Sequence, residues 1–446
     1  MRNILMASTL GIVMSAPGLA RAATVEQHHV ELAELKQLVG TLLARIEQLE
    51  QATAAAAQSP AAPAPAPDPA LAKLEARVVA VEESNDRQTD QLAQGLASSN
   101  AMDWARNVKW KGDLRYRHEQ FDVEGTTSDR VRHRIRARLG MEAKISSSLL
   151  AGFEIATADI FDPRSTNSTL DDASRRKEIG LNLAYIDWKP RDGMLVTIGK
   201  QKQPWFKAGN SLLVDGDINP EGVAVQYGGK TGPFAKAWGY WLDEFSSAAD
   251  SNLVGGQLGY AFGGGLTLAA AYWDYGAIKD QPVLPFVGAP AGNSSYTASG
   301  SCLSSPTAVT RCYTFDYNIV AVDAQWSGKV GAMPIMLFGG YLENMDPETL
   351  NTGFDIGFLL GKASDPGSWE FGALYQDVER DAQFALFLDS DFADGLTQGK
   401  GIQLQGAWAP VKNMTIKAAY FINDRNYDTP SEVDYKRLQL DLNYKF

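Results

Sequence analysis

The 446-residue chain contains only 2 Cys and 4 His, no C-x-x-C-H motif, and no run of about 20 apolar residues beyond its N-terminus. So few cysteines exclude a disulfide-scaffolded fold, and they are too few to build a metal site. Covalently held haem is excluded, and no metal or cofactor is expected. The missing apolar run excludes spanning helices. Basic residues are outnumbered, 41 Lys and Arg against 53 Asp and Glu, and the net charge of −12 argues against nucleic acid as the main partner. A composition 45% hydrophobic and 21% charged is neither collagen-like nor wholly disordered. The mean hydropathy of −0.21 is unremarkable. A closed β-barrel keeps it so, because its apolar surface occupies only every second residue. The 41 Gly, 16 Tyr, 18 Phe and 10 Trp suit that architecture.

Residues 1–22 read as a secretory signal: basic at Arg2, apolar from Ile4 to Val13, and Ala20-Arg21-Ala22 as the cleavage site. Export implies an oxidising compartment, where Cys302 and Cys312 most simply form one local disulfide. Over 23–51 the apolar residues follow a heptad, with Val25, Leu32, Val39 and Ile46 at a and Leu35, Leu42 and Leu49 at d. Residues 52–69 are an Ala/Pro linker, a semi-rigid spacer without a core. A second, weaker heptad segment occupies 70–100. The expectation is a coiled coil, with a single amphipathic helix as the alternative. The Val/Ile and Leu choice at a and d favours two strands in simple parallel coils.

From Val108 onward the period becomes 2. Val131, His133, Ile135, Ala137, Leu139, Met141 and Ala143 alternate with Arg132, Arg134, Arg136, Arg138, Gly140, Glu142 and Lys144, which no helix would sort this way. The last strand repeats the pattern, with Leu438 to Phe446 against Arg437, Gln439, Asp441, Asn443 and Lys445. Such runs define sixteen candidate strands, at 107–118, 130–144, 149–158, 179–189, 194–203, 220–229, 233–243, 252–262, 265–276, 315–327, 333–344, 352–362, 368–379, 401–409, 413–423 and 435–446. Connections after even-numbered strands are mostly tight, such as Arg191-Asp192-Gly193. Those after odd-numbered strands are often long, which is the pattern of outer-membrane barrels. Trp110, Tyr227, Tyr260, Trp326, Trp369, Trp408 and Tyr444 fit interfacial girdles. The expected fold is therefore all-β, a transmembrane antiparallel barrel of about 16 strands over 105–446, preceded by the helical segment.

Gly112-Asp113-Leu114-Arg115-Tyr116-Arg117, the Arg-x-Arg-x-Arg run at 134–138, Asp162-Pro163-Arg164-Ser165-Thr166-Asn167 and Asp217-Ile218-Asn219-Pro220-Glu221-Gly222 resemble the outer-membrane putative porin family of Gram-negative bacteria. The terminal Phe446 is similar to the C-terminal aromatic that the barrel-assembly machinery reads. The resemblance implies a sixteen-stranded, trimeric diffusion pore in the cell outer membrane, surrounded by lipid.

With the apolar set facing lipid, Lys109, Lys111, Arg115, Arg117, Arg132, Arg134, Arg136, Arg138 and Lys144 project into the lumen as a basic ladder. By the same parity Asp323, Asp355 and Glu370 line another wall, giving a transverse field. Arginines that merely pair with Asp113, Glu119, Glu142 and Glu154 are the alternative. Sixteen strands leave an aqueous channel. Something must narrow it, and the 203–219 segment, which follows the fifth strand, occupies the position of the constriction loop in general porins. Its Lys207, Asp215 and Asp217 are constriction candidates, with an outward surface loop as the alternative. The 277–314 segment reads as an external cap. An N-terminal periplasmic stalk would support the trimer and reach the cell wall. Catalysis is not expected, since the barrel histidines, His118 and His133, fall on the apolar-facing set. A substrate-specific oxyanion channel and a sheath around an electron-transfer conduit remain alternatives.

Overall fold

The computed structural model describes residues 107–158, 162–244, 249–283, 291–298, 302 and 311–446, together with seven isolated positions before residue 90. The chain divides into a unit of residues 1–98 and a unit of residues 99–446. In the first, Ala44, Gln48, Ala80, Glu83, Ser84, Asp86 and Arg87 are helical. Its expected signal segment and linker, and the rest of both heptad segments, lie outside the described residues. A coiled coil is accordingly not shown. Among the described residues no helix is long and apolar enough to cross a membrane.

The second unit is a barrel of sixteen strands. They are β1 (Val108–Val123), β2 (Arg130–Lys144), β3 (Leu149–Thr157), β4 (Ile179–Trp188), β5 (Met194–Lys200), β6 (Glu221–Gly228), β7 (Gly232–Asp243) and β8 (Ser251–Ala261), followed by β9 (Leu266–Gly276), β10 (Tyr317–Val330), β11 (Met333–Asn344), β12 (Thr352–Gly361), β13 (Trp369–Val378), β14 (Gly399–Trp408), β15 (Met414–Arg425) and β16 (Val433–Lys445). Each pairs antiparallel with the next. Strand β16 returns to β1, with Lys445 opposite Asp113 and Tyr435 opposite Val123, so the sheet has no open edge. Phe446 completes the seam by exchanging backbone hydrogen bonds with Gly112, 3.0 Å each way.

Alternation decides which way each side chain points. On β1, Trp110 and Leu114 are exposed on the outer face, while Asp113, Arg117 and Glu119 are buried in the lumen. Trp110, Tyr227, Tyr260, Trp326, Trp369, Trp408 and Tyr444 are all exposed on the short-turn rim. Trp241, Tyr272, Tyr341, Phe354, Tyr375 and Tyr420 are exposed toward the other rim. Amphipathic rings concentrate where apolar lipid meets headgroup, so the two belts bracket the apolar band.

The lumen is not an open cylinder. The 201–220 connection turns inward, where its Phe206 exchanges hydrogen bonds with the Gln257 side chain of β8, Phe206 N donating at 2.7 Å and Phe206 O accepting at 2.9 Å. Gly209 N donates to Gln325 Oε1 of β10, and Leu212 N to Asp355 Oδ2 of β12. The 379–398 connection lies beside it, with Asp215 N donating to Phe387 O at 2.7 Å. Trp205, Leu213 and Ile218 of the first connection and Phe384, Phe387 and Leu388 of the second pack with Trp238, Tyr240, Trp273, Tyr275 and Tyr317 from β7, β9 and β10. Trp205 sits 4.4 Å, centroid to centroid, from Trp273 and 5.3 Å from Trp238. Each such side chain contributes roughly 1.5–3 kcal/mol on burial, which holds both connections against that side of the barrel. A ribbon of Ser295–Thr297 against Arg311–Tyr313 belongs to the 277–316 connection. Its neighbouring Asn293 donates to Arg380 O and Gln383 O, fastening that connection to the 379–398 one. Cys302 and Cys312 are disulfide-bonded, with Cα atoms 5.8 Å apart.

Candidate pore constriction and its arginine wall

With one side of the lumen filled by apolar packing, two polar cavities remain along β1, β2 and β14–β16. The first, about 370 Å³, is lined by Arg115, Arg117, Lys207, Asp215, Asp217, Gln403, Gln405 and Lys417 among others. The second, about 490 Å³, is lined by Arg132, Arg134, Asp162, Arg175, Asp394 and Arg437 among others. Arg164, Ser165, Asn167, Ser390 and Asp391 line both, so they mark the neck between the two.

Charge along this wall is organised as a chain of pairs. Arg136 donates to Asp113 Oδ1 at 2.9 Å and Arg138 Nε to Asp113 Oδ2 at 2.7 Å. Glu119, fully buried, accepts Arg132 Nε at 2.6 Å and also binds Arg437. Asp441 takes a two-bond fork from Arg117 and lies 3.7 Å from Arg115, whose own hydrogen bond goes to Asn443 Oδ1 at 2.8 Å. Lys111 pairs with Glu142, while Lys109 and Lys144 are exposed. Arg134 differs. Its Nη2 donates to Ser165 Oγ and Asn167 O, both neutral, and among the described residues no carboxylate lies within ion-pair distance of it. Among the described residues, Arg115, Arg117, Arg132, Arg134, Arg136, Arg138 and Arg437 thus have five carboxylates within ion-pair distance, Asp113, Glu119, Asp217, Asp391 and Asp441, and the wall carries an excess of positive charge.

The facing carboxylates come from the inserted connections. Asp391 binds Arg117 Nη1 at 3.0 Å and Arg437 Nη2 at 2.7 Å. Burial works against its charge, but those two guanidinium groups prevail and hold its carboxyl well below the usual range. Asp215 and Asp389 go the other way: burial first, then repulsion by Asp389 for Asp215 and by Asp391 for Asp389, push both carboxyls up, Asp389 to about 6. Lys207 Nζ donates to Val214 O, and Asp217 lies 3.9 Å from Arg138.

The other residues expected to carry acidic charge have other neighbours. Asp355 accepts Leu212 N and Gly340 N at 3.0 Å each, and Asp323 has the Ala208 backbone and Lys207 as electrostatic neighbours. Asp355 therefore holds the inward turn of 201–220, and neither carboxylate lines the two cavities. Glu370 lies on β13 with Lys417 as an electrostatic neighbour. His118 and His133 are outside the barrel, 5.0 Å apart by ring centroids. Parity had already put Arg437 and Asp441 on the polar face of the last strand. Arg164 was named only within the Asp162–Asn167 motif, with no role, and Asp391 had no signal beyond lying in a long connection, because non-periodic segments do not declare which way they fold.

A closed sixteen-stranded antiparallel barrel with an apolar outer band, two aromatic belts and a polar lumen narrowed by inserted connections is the architecture of outer-membrane channels. The family model described as "Putative porin" matches residues 120–299 and 310–446, and the chain belongs to that family. No curated protein sequence matches it. Among solved structures, the high-pH form of OprB from Pseudomonas putida aligns with a TM-score of 0.53 at 10% identity, over 79% of this chain and 97% of that one. OmpF of Salmonella typhi, in complex with daunomycin, aligns at 0.46 with 14% identity over 76% and 97%. A triple mutant of the Rhodopseudomonas blastica porin aligns at 0.45 with 11% identity over 76% and 100%. At these identities the likeness concerns fold, and only the first supports it.

Proposed function

We propose that this channel passes small hydrophilic solutes and ions by diffusion, with a preference for anions set by its arginine wall. The observation that carries the reading is the pair of polar cavities joined at Arg164, Ser165, Asn167, Ser390 and Asp391, directly against a wall whose cations outnumber its carboxylates. Fixed guanidinium charge in a narrow, partly desolvated passage concentrates anions, and the loop carboxylates opposite orient polar solutes across it. A sheath for an electron conduit needs an open lumen, and the apolar packing across β7–β10 supports the diffusion channel instead.

The remaining parts of the reading follow from the sequence and, for the trimer and the assembly signal, from the family resemblance. Residues 1–22 direct export, Phe446 is the assembly-machinery signal, the chain forms a homotrimer, and residues 23–100 form a periplasmic stalk that reaches the cell wall. Liposome swelling tests the central part: vesicles containing the refolded protein should admit small sugars and amino acids at rates that fall with solute size. Swelling no faster than that of empty vesicles would overturn it.

A further inference from the structure

Arg134 stands apart from the other arginines of the wall. Arg115, Arg117, Arg132, Arg136 and Arg138 each have a carboxylate within 4 Å, whereas Arg134 has two neutral oxygens as acceptors and a buried Nε without a partner. A guanidinium in a cavity of about 490 Å³, with no carboxylate within ion-pair distance among the described residues and both Nη2 hydrogens already donated, favours an anion that accepts from its Nη1 arm. That volume lies within the range of small-molecule sites. The neighbouring Arg132 and Arg437 raise the local potential, but Glu119 and Asp391 already occupy them.

A second observation narrows the ligand. Asn167, 4% exposed, lines both cavities at the neck, and its Oδ1 has no donor. Asp391 and Asp394 also line the second cavity. These oxygens accept hydroxyl hydrogens and repel additional negative charge. A ligand with one anionic end and a hydroxylated body satisfies both halves of the site, while a dianionic phosphate places charge against the carboxylates.

We infer that Arg134 and Asn167 form a saturable subsite for a small polyhydroxylated monocarboxylate, of the sugar-acid class, at the outer side of the neck. The proposal rests on the channel reading and specifies what the channel favours. The carboxylate accepts charged hydrogen bonding from Arg134 Nη1, the arm that Ser165 and Asn167 leave open, and a hydroxyl donates to Asn167 Oδ1. The solute pauses there before passing the neck.

Ion current through the full-length protein in planar bilayers tests this, with gluconate as probe and acetate, glucose and inorganic phosphate as comparisons. Gluconate should reduce the current saturably, with a half-blocking concentration below those of acetate and phosphate, and glucose should have little effect. R134Q should raise the gluconate half-blocking concentration about tenfold or more, the worth of a charge-assisted hydrogen bond. N167A should bring gluconate to the level of acetate. Conducting channels whose current responds equally to gluconate and acetate, or in which R134Q blocks as the native channel does, overturn the subsite and leave the diffusion channel standing. Stronger block by phosphate overturns the sugar-acid assignment. Absence of conductance overturns the channel reading and the subsite with it.

Discussion

Arg117 of β1 grips Asp441 of β16 with both arms of its guanidinium, Nε to Oδ1 at 2.7 Å and Nη2 to Oδ2 at 2.9 Å. The two residues are register partners at the seam where the barrel closes. Arg117 Nη1 reaches on to Asp391 at 3.0 Å, so one side chain ties the closing seam to an inserted connection.

Removing one member of a buried pair leaves the other charge uncompensated. D441N should therefore destabilise the refolded barrel by about 3 kcal/mol, read as a lower urea midpoint in detergent. An unchanged midpoint would show that Asp391 and Glu119 suffice for Arg117.

The raised carboxyls of Asp215 and Asp389 give the channel a pH dependence. Their folded pKa values lie above the unfolded ones, so the bound proton stabilises the contact between the connections at acid pH. That contribution is lost as pH rises through about 6, the value for Asp389. Lys207, Asp217 and Asp391 also face this pair and keep their places in the wall. Acidification from pH 7 to pH 5 should thus remove negative charge and increase anion preference. D389N should flatten that dependence, and a reversal potential equally pH-sensitive in D389N would exclude this pair as its source.

Gly209 marks where the 201–220 connection presses on the barrel. Its φ is +50°, and a Cβ there would lie 2.3 Å from the Phe338 ring. G209V should wedge the connection away from β11 and increase single-channel conductance. Conductance at the native value would show that the connection does not limit the passage.

The Cys302–Cys312 bond spans ten residues of the 277–316 connection, beside its two-stranded ribbon. C302S/C312S should expose this connection to protease at roughly tenfold lower protease concentration, because a short closed loop restrains the open state by about 2–3 kcal/mol at most. Conductance should be unaffected. A change in conductance would place this connection in the conduction path.

The sixteen strands were legible because a period of two is a strong signal over 7 to 16 residues, and the tight turns between even- and odd-numbered strands fixed their phase. The same parity placed Arg117, Arg132 and Arg136 in the lumen. It could not show that Asp323 and Asp355 serve the 201–220 connection, since parity gives the face of a strand and not what packs against it. The 379–398 connection was opaque for a related reason. Phe384, Phe387 and Leu388 have no period to follow, and their inward placement depends on partners far away in sequence, such as Tyr275 and Tyr317. Asp391, a few residues after that buried apolar group, reaches Arg117 and Arg437 of the wall.

Reversal potential across a planar bilayer separating two KCl concentrations measures the central claim most directly. The account predicts discrete conductance steps and a reversal potential of the sign for anion preference, displaced toward cations in R115A/R134A. Steps with cation preference that the double substitution leaves unmoved would contradict it.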